Sequence, residues 1–506
     1  LPAGDGTYDL TDGISNDGGS LNYEIFVRSF YDSNKDGTGD FNGIAAKASY
    51  LKSMGVGTVW LMPINPSPSY HGYDITYYEK VNPNYGTMSD FEAMLATLKA
   101  EGIKVIIDMV LNHSSSQNPW FAESYQDYLN SYAGSDSKAD WYNWSATNQS
   151  SNYHRYGNLY YEGDFGSSMP DFNLDSVTLQ AEIKDILNFW LAKGVAGFRL
   201  DAVRYYYYGD DGKNITTLDQ LVDDVAEAYP DCYFVGENWA SQTAYYPYFA
   251  SKINSFFDFD ESITSSLDGT IIGAAKGFST GDAFSSAIEN AQTQAKALNP
   301  TSYNSFFISN HDQDRSSVSL SGNTAKLGAS LTYLLPGTPY IYYGEEIGLK
   351  GVRGPNDNND VLRRLPMIWS ESDKTGQCAF PDPTAIGLES EITQVTLGAE
   401  DLATDPTSLL SHYEKVGNVR NEFPFIRDAA FTALKTNLAD FVAYQLTNGS
   451  SSIAVVTNTG AVSASLNVSS FATGILDSIN TVNLIPSYQN GMLGLGGYST
   501  VILSCK

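Results

Sequence analysis

A chain of 506 residues is too long for one ordinary compact domain, and with 42% hydrophobic residues it can bury a sizeable core without covalent staples. Its formal charge of −29, from 58 acidic against 29 basic residues, argues against nucleic acid or an anionic membrane surface as partner, because phosphates would be repelled. That balance leaves a neutral or cationic ligand, or a metal ion, as the natural partner.

The N-terminus, LPAGDGTYDLTDG, has neither a basic segment nor an apolar core, and residues 1–20 read as a polar extended arm. Short apolar runs rich in β-branched and aromatic residues then follow at 22–30, 56–64, 103–113, 195–203, 232–239, 253–260, 304–312 and 339–346. Helical patterns such as 90–102 and 178–194 lie between them, each closing on a glycine. Eight strands alternating with helices predict a parallel sheet closed into a (β/α)8 barrel. The rhythm breaks at 112–172, a polar stretch rich in Tyr, Trp, Asn and Ser that is too long for a plain loop and reads as an inserted subdomain after the third strand. The barrel then comprises 1–111 and 173–429, and the short strands and Gly/Asn/Ser turns of 430–506 predict an all-β C-terminal sandwich. No stretch is long and apolar enough to span a membrane. Three cysteines, Cys232, Cys378 and Cys505, exclude a disulfide scaffold and fit no zinc spacing, although Cys378 and Cys505 could bridge in an oxidising compartment.

In a barrel of this kind, chemistry sits at the C-terminal ends of the strands. Here the third strand ends in Asn112-His113, the fourth in Arg199-Leu200-Asp201, the fifth in Glu237 and the seventh in His311-Asp312. One such polar residue would be an ordinary cap; four ends with related chemistry indicate a site. Arg199 and Asp201, two apart on a strand, project to the same side, so the guanidinium should lower the Asp201 pKa. Glu237, one strand over, should be raised by that negative charge and by a shielded cleft. Two carboxyls with separated pKa values are what hydrolysis of a glycosidic bond requires.

The segments DMVLNHS, GFRLDAV, VGENW and FISNHD, supported by YHGYD (70–74), MPDFN (169–173), YYGEE (342–346) and RRLPMIW (363–369), resemble the α-amylase family, glycoside hydrolase family thirteen, from about residue 21 to the end. The likeness is to bacterial α-amylases of the group intermediate between oligo-1,6-glucosidases and neopullulanases. It implies Asp201 as nucleophile, Glu237 as general acid/base and Asp312 as a third carboxylate that binds sugar hydroxyls, in a mechanism that retains anomeric configuration. Arg199, His113 and His311 would surround the same glucose, with Tyr73 stacked on it and His71, Arg204 and Tyr205 also at the substrate.

The loop Asp32-Ser-Asn34-Lys-Asp36-Gly37-Thr38-Gly-Asp40 offers hard oxygens at alternate positions but lacks the glutamate that would complete an EF-hand. It resembles a calcium loop of many family members, with Asp32, Asn34, Asp36, Asp40 and the Thr38 carbonyl as ligands; a solvated turn is the plain alternative. A second Ca2+ site is implied at Asn112, Asp171 and the Tyr205 carbonyl, with Glu162 and Asp164 both eligible as a further ligand. The resemblance implies starch and maltooligosaccharides as substrates and a monomer; an extracellular or cell-surface protein is expected, with any signal peptide absent from this mature chain.

Within the family, Ala202 after the nucleophile (DAV) points to α-1,4 specificity, and Tyr205 to Tyr208 fall where the leaving-group side begins. Against this stand MPDFN, which keeps an oligo-α-1,6-glucosidase, exo-α-glucosidase or neopullulanase reading open, and Asp74, which could close the pocket by pairing with an arginine such as Arg363. An endo-acting α-amylase is the leading expectation.

Overall fold

The structure, a computed structural model, describes residues 21–253, 255–259, 269–354, 359–381, 394–479 and 485–506. The N-terminal arm read over 1–20 lies outside them.

Eight parallel strands form the main sheet: β1 (Leu21–Ile25), β2 (Val56–Leu61), β3 (Lys104–Met109), β4 (Gly197–Leu200), β5 (Tyr233–Gly236), β6 (Ser255–Phe257), β7 (Tyr303–Ser305) and β8 (Tyr340–Tyr342). They are ordered β7-β6-β5-β4-β3-β2-β1-β8, and a parallel bridge from Phe307 to Tyr340 closes the ring. Every expected strand is present, but each is shorter than its apolar run. The final residues of those runs leave the sheet and form the rim loops. Both faces of a barrel strand are buried, which explains why these segments are continuously apolar rather than alternating. Inside, Trp60, Ile106, Tyr233, Val235, Phe257, Phe307 and Tyr340 fill the lumen and give the site above them a solid floor.

The connecting helices follow from local signals. In Met88–Ala100, Thr87 and Asp90 form a reciprocal capping box, and Phe91, Met94, Leu95 and Leu98 make the buried stripe. Val177–Ala192 is capped by Ser176 and buries Ile183, Ile186, Leu187 and Trp190. Gly102 and Gly194 follow these helices at φ of 75° and 102°, the left-handed conformation that lets the chain turn back into the next strand.

Between β3 and β4, the chain makes a helix (Pro119–Leu129) and a small antiparallel sheet ordered Trp144–Ser145, Leu159–Glu162, Tyr153–Tyr156. Past the barrel, a five-stranded and a three-stranded antiparallel sheet enclose Phe441, Ala443, Ala454, Val456, Leu466, Leu493, Val501 and Leu503. The alternate residues Val442, Tyr444 and Val455 turn the other way and join the barrel core, so the period of two places one strand in two cores. All three cysteines are free, so the Cys378–Cys505 bridge does not form. Among the described residues no helix is long and apolar enough to cross a membrane. His412 is buried, with Nε2 at 2.9 Å from the Ser330 hydroxyl.

Candidate active site

A cleft of about 900 Å³ opens at the C-terminal end of the barrel. Asp201, Glu237 and Asp312 line it, joined by His71, Tyr73, His113, Arg204 and Tyr205. Arg199 and His311 do not line it. Each is only 1% exposed, and they hold the carboxylates from beneath.

Register decides this arrangement. In the β3–β4 pairing Asp108 lies opposite Arg199, and both side chains turn into the barrel. The guanidinium rests over the Trp60 ring at 5.0 Å, at the top of the lumen. From there Nη1 reaches Asp108 Oδ1 at 2.9 Å and Asp201 Oδ1 at 2.6 Å, while Nη2 reaches Glu237 Oε2 at 2.9 Å. One cation thus serves three buried acids. Glu237 takes a further hydrogen bond from the Ala202 amide at 3.1 Å, and Ala202 sits at φ 47°, an uncommon conformation for a residue with a side chain. That turn aims the amide next to Asp201 at Glu237, the residue just past β5.

The electrostatics differ from expectation at Asp201. Burial pushes its carboxyl above the usual carboxylate value, and Arg199 offsets only part of the effect. The guanidinium is divided among three acids, so no one of them receives its full charge. Glu237 is also raised, first by burial and then by Asp201 and Asp312. Asp108 is pushed up to about 7 by burial, against the pull of Arg199. Asp312 goes the other way. Burial alone would raise it, but His311 at 3.1 Å and Arg364 at 2.7 Å hold it far below the ordinary range. Of the three carboxylates around the cavity, Asp201 and Glu237 are thus both raised, so the separation expected between them does not appear as opposite shifts, and only Asp312 is lowered.

The walls supply shape. On one side the inserted segment contributes Phe165 and Met169, and His113 packs against Phe165 at 5.2 Å. The His113 Nε2 is buried without a protein partner, and burial lowers this ring to about 4, so it is neutral. Phe165, Tyr205 and Tyr208 form an aromatic strip, with ring centroids 4.9 and 5.5 Å apart, that runs outward to Tyr208, which is 73% exposed. Trp239, 50% exposed, stacks on Phe259 at 4.8 Å and also lines the cleft. Tyr206 and Tyr207 belong to the protein interior and the Asp175 contact, not to the strip. Asp360, Val361 and Arg364 form another part of the lining.

Asp74 and Arg363 are not paired. Asp74 accepts hydrogen bonds from the Ser67 and Ser69 hydroxyls, and Arg363 binds Asp314, Asp360 and the Asp312 carbonyl. Two serines satisfy the aspartate locally, so no arginine is drawn across to it.

Two groups of oxygens can be tested for a cation. In the Asp32–Asp40 loop, Asp32 accepts the amides of Lys35 and Gly37, Asp36 that of Thr38, and Asp40 those of Ser33 and Gly43. Positive φ at Lys35 (69°) and Gly37 (92°) curls the loop around these contacts. The donor set, three carboxylates with an amide oxygen and a carbonyl, has the hard-oxygen chemistry that suits calcium. In the second group, Glu162, Asp164 and Asp171 bring oxygens within 4.8 Å of one another, and Asn112 Nδ2 lies 3.0 Å from Asp171 Oδ1. Burial pushes Asp171 up to about 8, with Asp164 and Glu162 adding to the rise, and a cation would relieve this crowding. Asn112 faces these acids while His113 lines the cleft, one residue apart at the end of β3.

Residues 24–429 match the family model described as alpha amylase, catalytic domain. The chain belongs to the alpha-amylase family. It is 34% identical over 491 residues to Alpha-amylase 3 of Dictyoglomus thermophilum, covering 95% of this chain and 92% of that protein. It is 28% identical to the oligo-1,6-glucosidase of Parageobacillus thermoglucosidasius, over 86% of this chain and 89% of the other. Among solved structures, Eubacterium rectale Amy13B superposes with a TM-score of 0.88 at 34% identity, covering 96% of this chain and 95% of that one. The alpha-amylase from H. orenii gives 0.82 at 31% identity, with 97% and 100% covered. This alpha-amylase family member is a glycoside hydrolase.

Several residues of the site were not singled out from sequence. Asp108 stood inside DMVLNHS and Arg364 inside RRLPMIW, and Trp239 closed VGENW. An acid four residues before Asn112 in an apolar strand was a readable signal for Asp108. Glu24, an acid inside the apolar run 22–30, carried the same signal but not its partner, and Phe165 had none, because its importance rests on what the fold brings opposite it.

Replacing Arg199 by glutamine should leave three buried acids without their cation and cost about 3–5 kcal/mol. The affected carboxyls would rise further in the folded state, so the deficit should be small below the ordinary carboxylate pKa of about 4 and grow as pH rises. Thermal unfolding of parent and Arg199→Gln across that range checks both size and sign.

Proposed function

We propose that the protein is a retaining, endo-acting α-amylase that hydrolyses internal α-1,4-glucosidic bonds of starch and maltooligosaccharides. Asp201 is the nucleophile, attacking the anomeric carbon while Glu237 protonates the departing glycosidic oxygen. Glu237 then takes a proton from water, which releases the sugar from Asp201. The shared guanidinium suits this exchange. When Asp201 becomes an ester and loses its charge, Arg199 remains on Glu237, which has just become an anion. Asp312, held ionised by His311 and Arg364, accepts hydroxyl donors from the ring under attack. His113 and His71 lie where they can meet the same sugar.

The observation that carries endo action is the open leaving-group side. Exposed aromatic faces continue beyond the carboxylates at Tyr205, Tyr208 and Trp239, and sugar rings stack on such faces. No Asp74–Arg363 pair closes the opposite end. The names of relatives divide between alpha-amylase and oligo-1,6-glucosidase, so a second reading as an oligo-α-1,6-glucosidase or other exo-α-glucosidase is kept for the test.

We further propose that the loop after β1 and the acid cluster beside the inserted segment each hold Ca2+. In the loop after β1 the ligands would be Asp32, Asn34, Asp36, Asp40 and the Thr38 carbonyl. Beside the inserted segment they would be Asn112, Asp171, Glu162, Asp164 and the Tyr205 carbonyl. The ion supplies cross-linking and charge neutralisation rather than a reaction step. A ligand bound only by the folded state raises stability by mass action.

Three outcomes are expected. Asp201→Asn, Glu237→Gln and Asp312→Asn should fold as the parent does and lose turnover by about a thousandfold or more, measured on maltooligosaccharides; a Glu237→Gln protein at a tenth of parental rate would remove that residue from its role. Chelation should lower the Tm, with Asp36→Ala and Asp171→Asn each removing part of that shift, and elemental analysis of undialysed protein should find calcium. On soluble starch, early products should spread over many lengths with rapid loss of iodine colour. Glucose alone from the first minutes, or rapid isomaltose cleavage with starch intact, would favour the exo reading.

A further inference from the structure

We propose that Glu24, on β1, is a positioning residue that holds His311 as a doubly protonated imidazolium, so that the ring's other nitrogen permanently presents an N–H to Asp312. The inference rests on the role given to Asp312 above and extends it to a residue that touches no substrate.

The hydrogen-bond inventory around the ring carries the argument. His311 Nδ1 lies 2.5 Å from Glu24 Oε1, and both side chains are only 1% exposed. Nε2 lies 2.7 Å from the Tyr73 hydroxyl and 3.1 Å from Asp312 Oδ2. The Tyr73 hydroxyl donates its single proton to Asp108 Oδ2 at 3.0 Å, an oxygen that also accepts from Arg199. The Tyr73 oxygen is thereby left to accept from Nε2. Asp312, an ionised carboxylate, also can only accept. Nε2 must therefore carry a proton, and so must Nδ1, since it faces a carboxylate too. A neutral imidazole in either tautomer leaves one nitrogen lone pair against an acceptor.

The surroundings are consistent from every side. Trp60 of β2 offers only a ring edge-on at 5.6 Å, and Tyr73 stacks on the imidazole at 5.6 Å. The nearby charges are Glu24 on β1, Asp312 beyond β7 with Arg364 paired to it and to the His311 carbonyl, Asp201 at the end of β4, and, at one remove through Tyr73, Asp108 and Arg199. Tyr340 and Tyr342 on β8 feel Glu24 but carry no charge themselves. Burial opposes a charged ring, and the two carboxylates more than offset it, lifting His311 to about 10. Register places Glu24 for this task, opposite Trp60 on one side and Tyr342 on the other, facing the lumen. A carboxylate buried in a strand must be paired, and this one has a ring nitrogen as its partner.

Glu24→Gln tests the charge while preserving shape, since the amide oxygen still accepts from Nδ1. Histidine-selective 15N labelling reads protonation at each ring nitrogen, with the His311 signals identified among five histidines by their loss in His311→Asn. In the parent, both nitrogens should read as N–H from about pH 6 to 9, above the ordinary imidazole range. In Glu24→Gln the ring should become neutral within that window, and kcat should fall by about tenfold or more, increasingly so as pH rises, with KM little changed. A merely structural role would give a loss independent of pH. A neutral His311 in the parent at pH near 7, or a Glu24→Gln protein whose ring stays doubly protonated, would overturn the proposal; if that variant does not fold, the parent spectrum alone decides. Should Asp312→Asn keep its turnover while His311 remains an imidazolium, the role of Asp312 fails and the assignment of the Glu24–His311 pair stands.

Discussion

The site depends on one buried guanidinium. Arg199 sits over the Trp60 ring with Asp108, Asp201 and Glu237 around it, and without that positive charge three carboxylates could not occupy this space together. The arrangement is a poor source of stability, because removing charges from water costs several kcal/mol per ion before any attraction is counted. Its stability comes from elsewhere, in the apolar lumen beneath and the helices outside. The barrel acts as a rigid mount on which unfavourable chemistry can be held.

Dividing one cation among three acids also produces the chemical asymmetry. Asp201 and Glu237 both rise, because burial exceeds their share of Arg199, whereas Asp312 falls under its own pair of cationic neighbours. A pair of raised carboxyls held by one donor network can pass a proton requirement from one to the other. A third kept ionised can bind hydroxyls throughout. These are differences of environment between residues of the same type, and they arise from partners contributed by β1, β3, β4 and the loop after β8.

The end of β3 links two regions of the molecule. Asn112 faces the acids of the inserted segment, and His113 faces the cleft, while a bridge between His113 and Asp171 ties the segment to the barrel. Whatever steadies Glu162, Asp164 and Asp171 therefore also steadies one wall of the cleft, including Phe165. The inserted segment thus gives the cleft both an aromatic surface and a fixed position relative to the carboxylates.

Much of this was legible along the chain. Apolar runs alternating with capped helices specify the barrel, because strands buried on both faces and helices buried on one leave different periodicities. Acids and histidines at the ends of those runs specify Asp201, Glu237 and Asp312, because a barrel strand delivers its last residues to one rim. Such signals are local, each contained within about ten residues of sequence. What only the tertiary structure decided is who partners whom. The Arg199–Asp201 spacing correctly placed both on one side, yet the expected lowering of Asp201 did not follow, since Asp108 and Glu237 arrive from other strands to share the cation. Asp74 was free to pair with Arg363 until two nearby serines took its oxygen. Glu24 is 287 residues from His311 and reads as an acid stranded in an apolar run until barrel closure brings them together. Proton affinity depends on burial and on every charge within a few ångströms, and the linear order of residues does not record those neighbours.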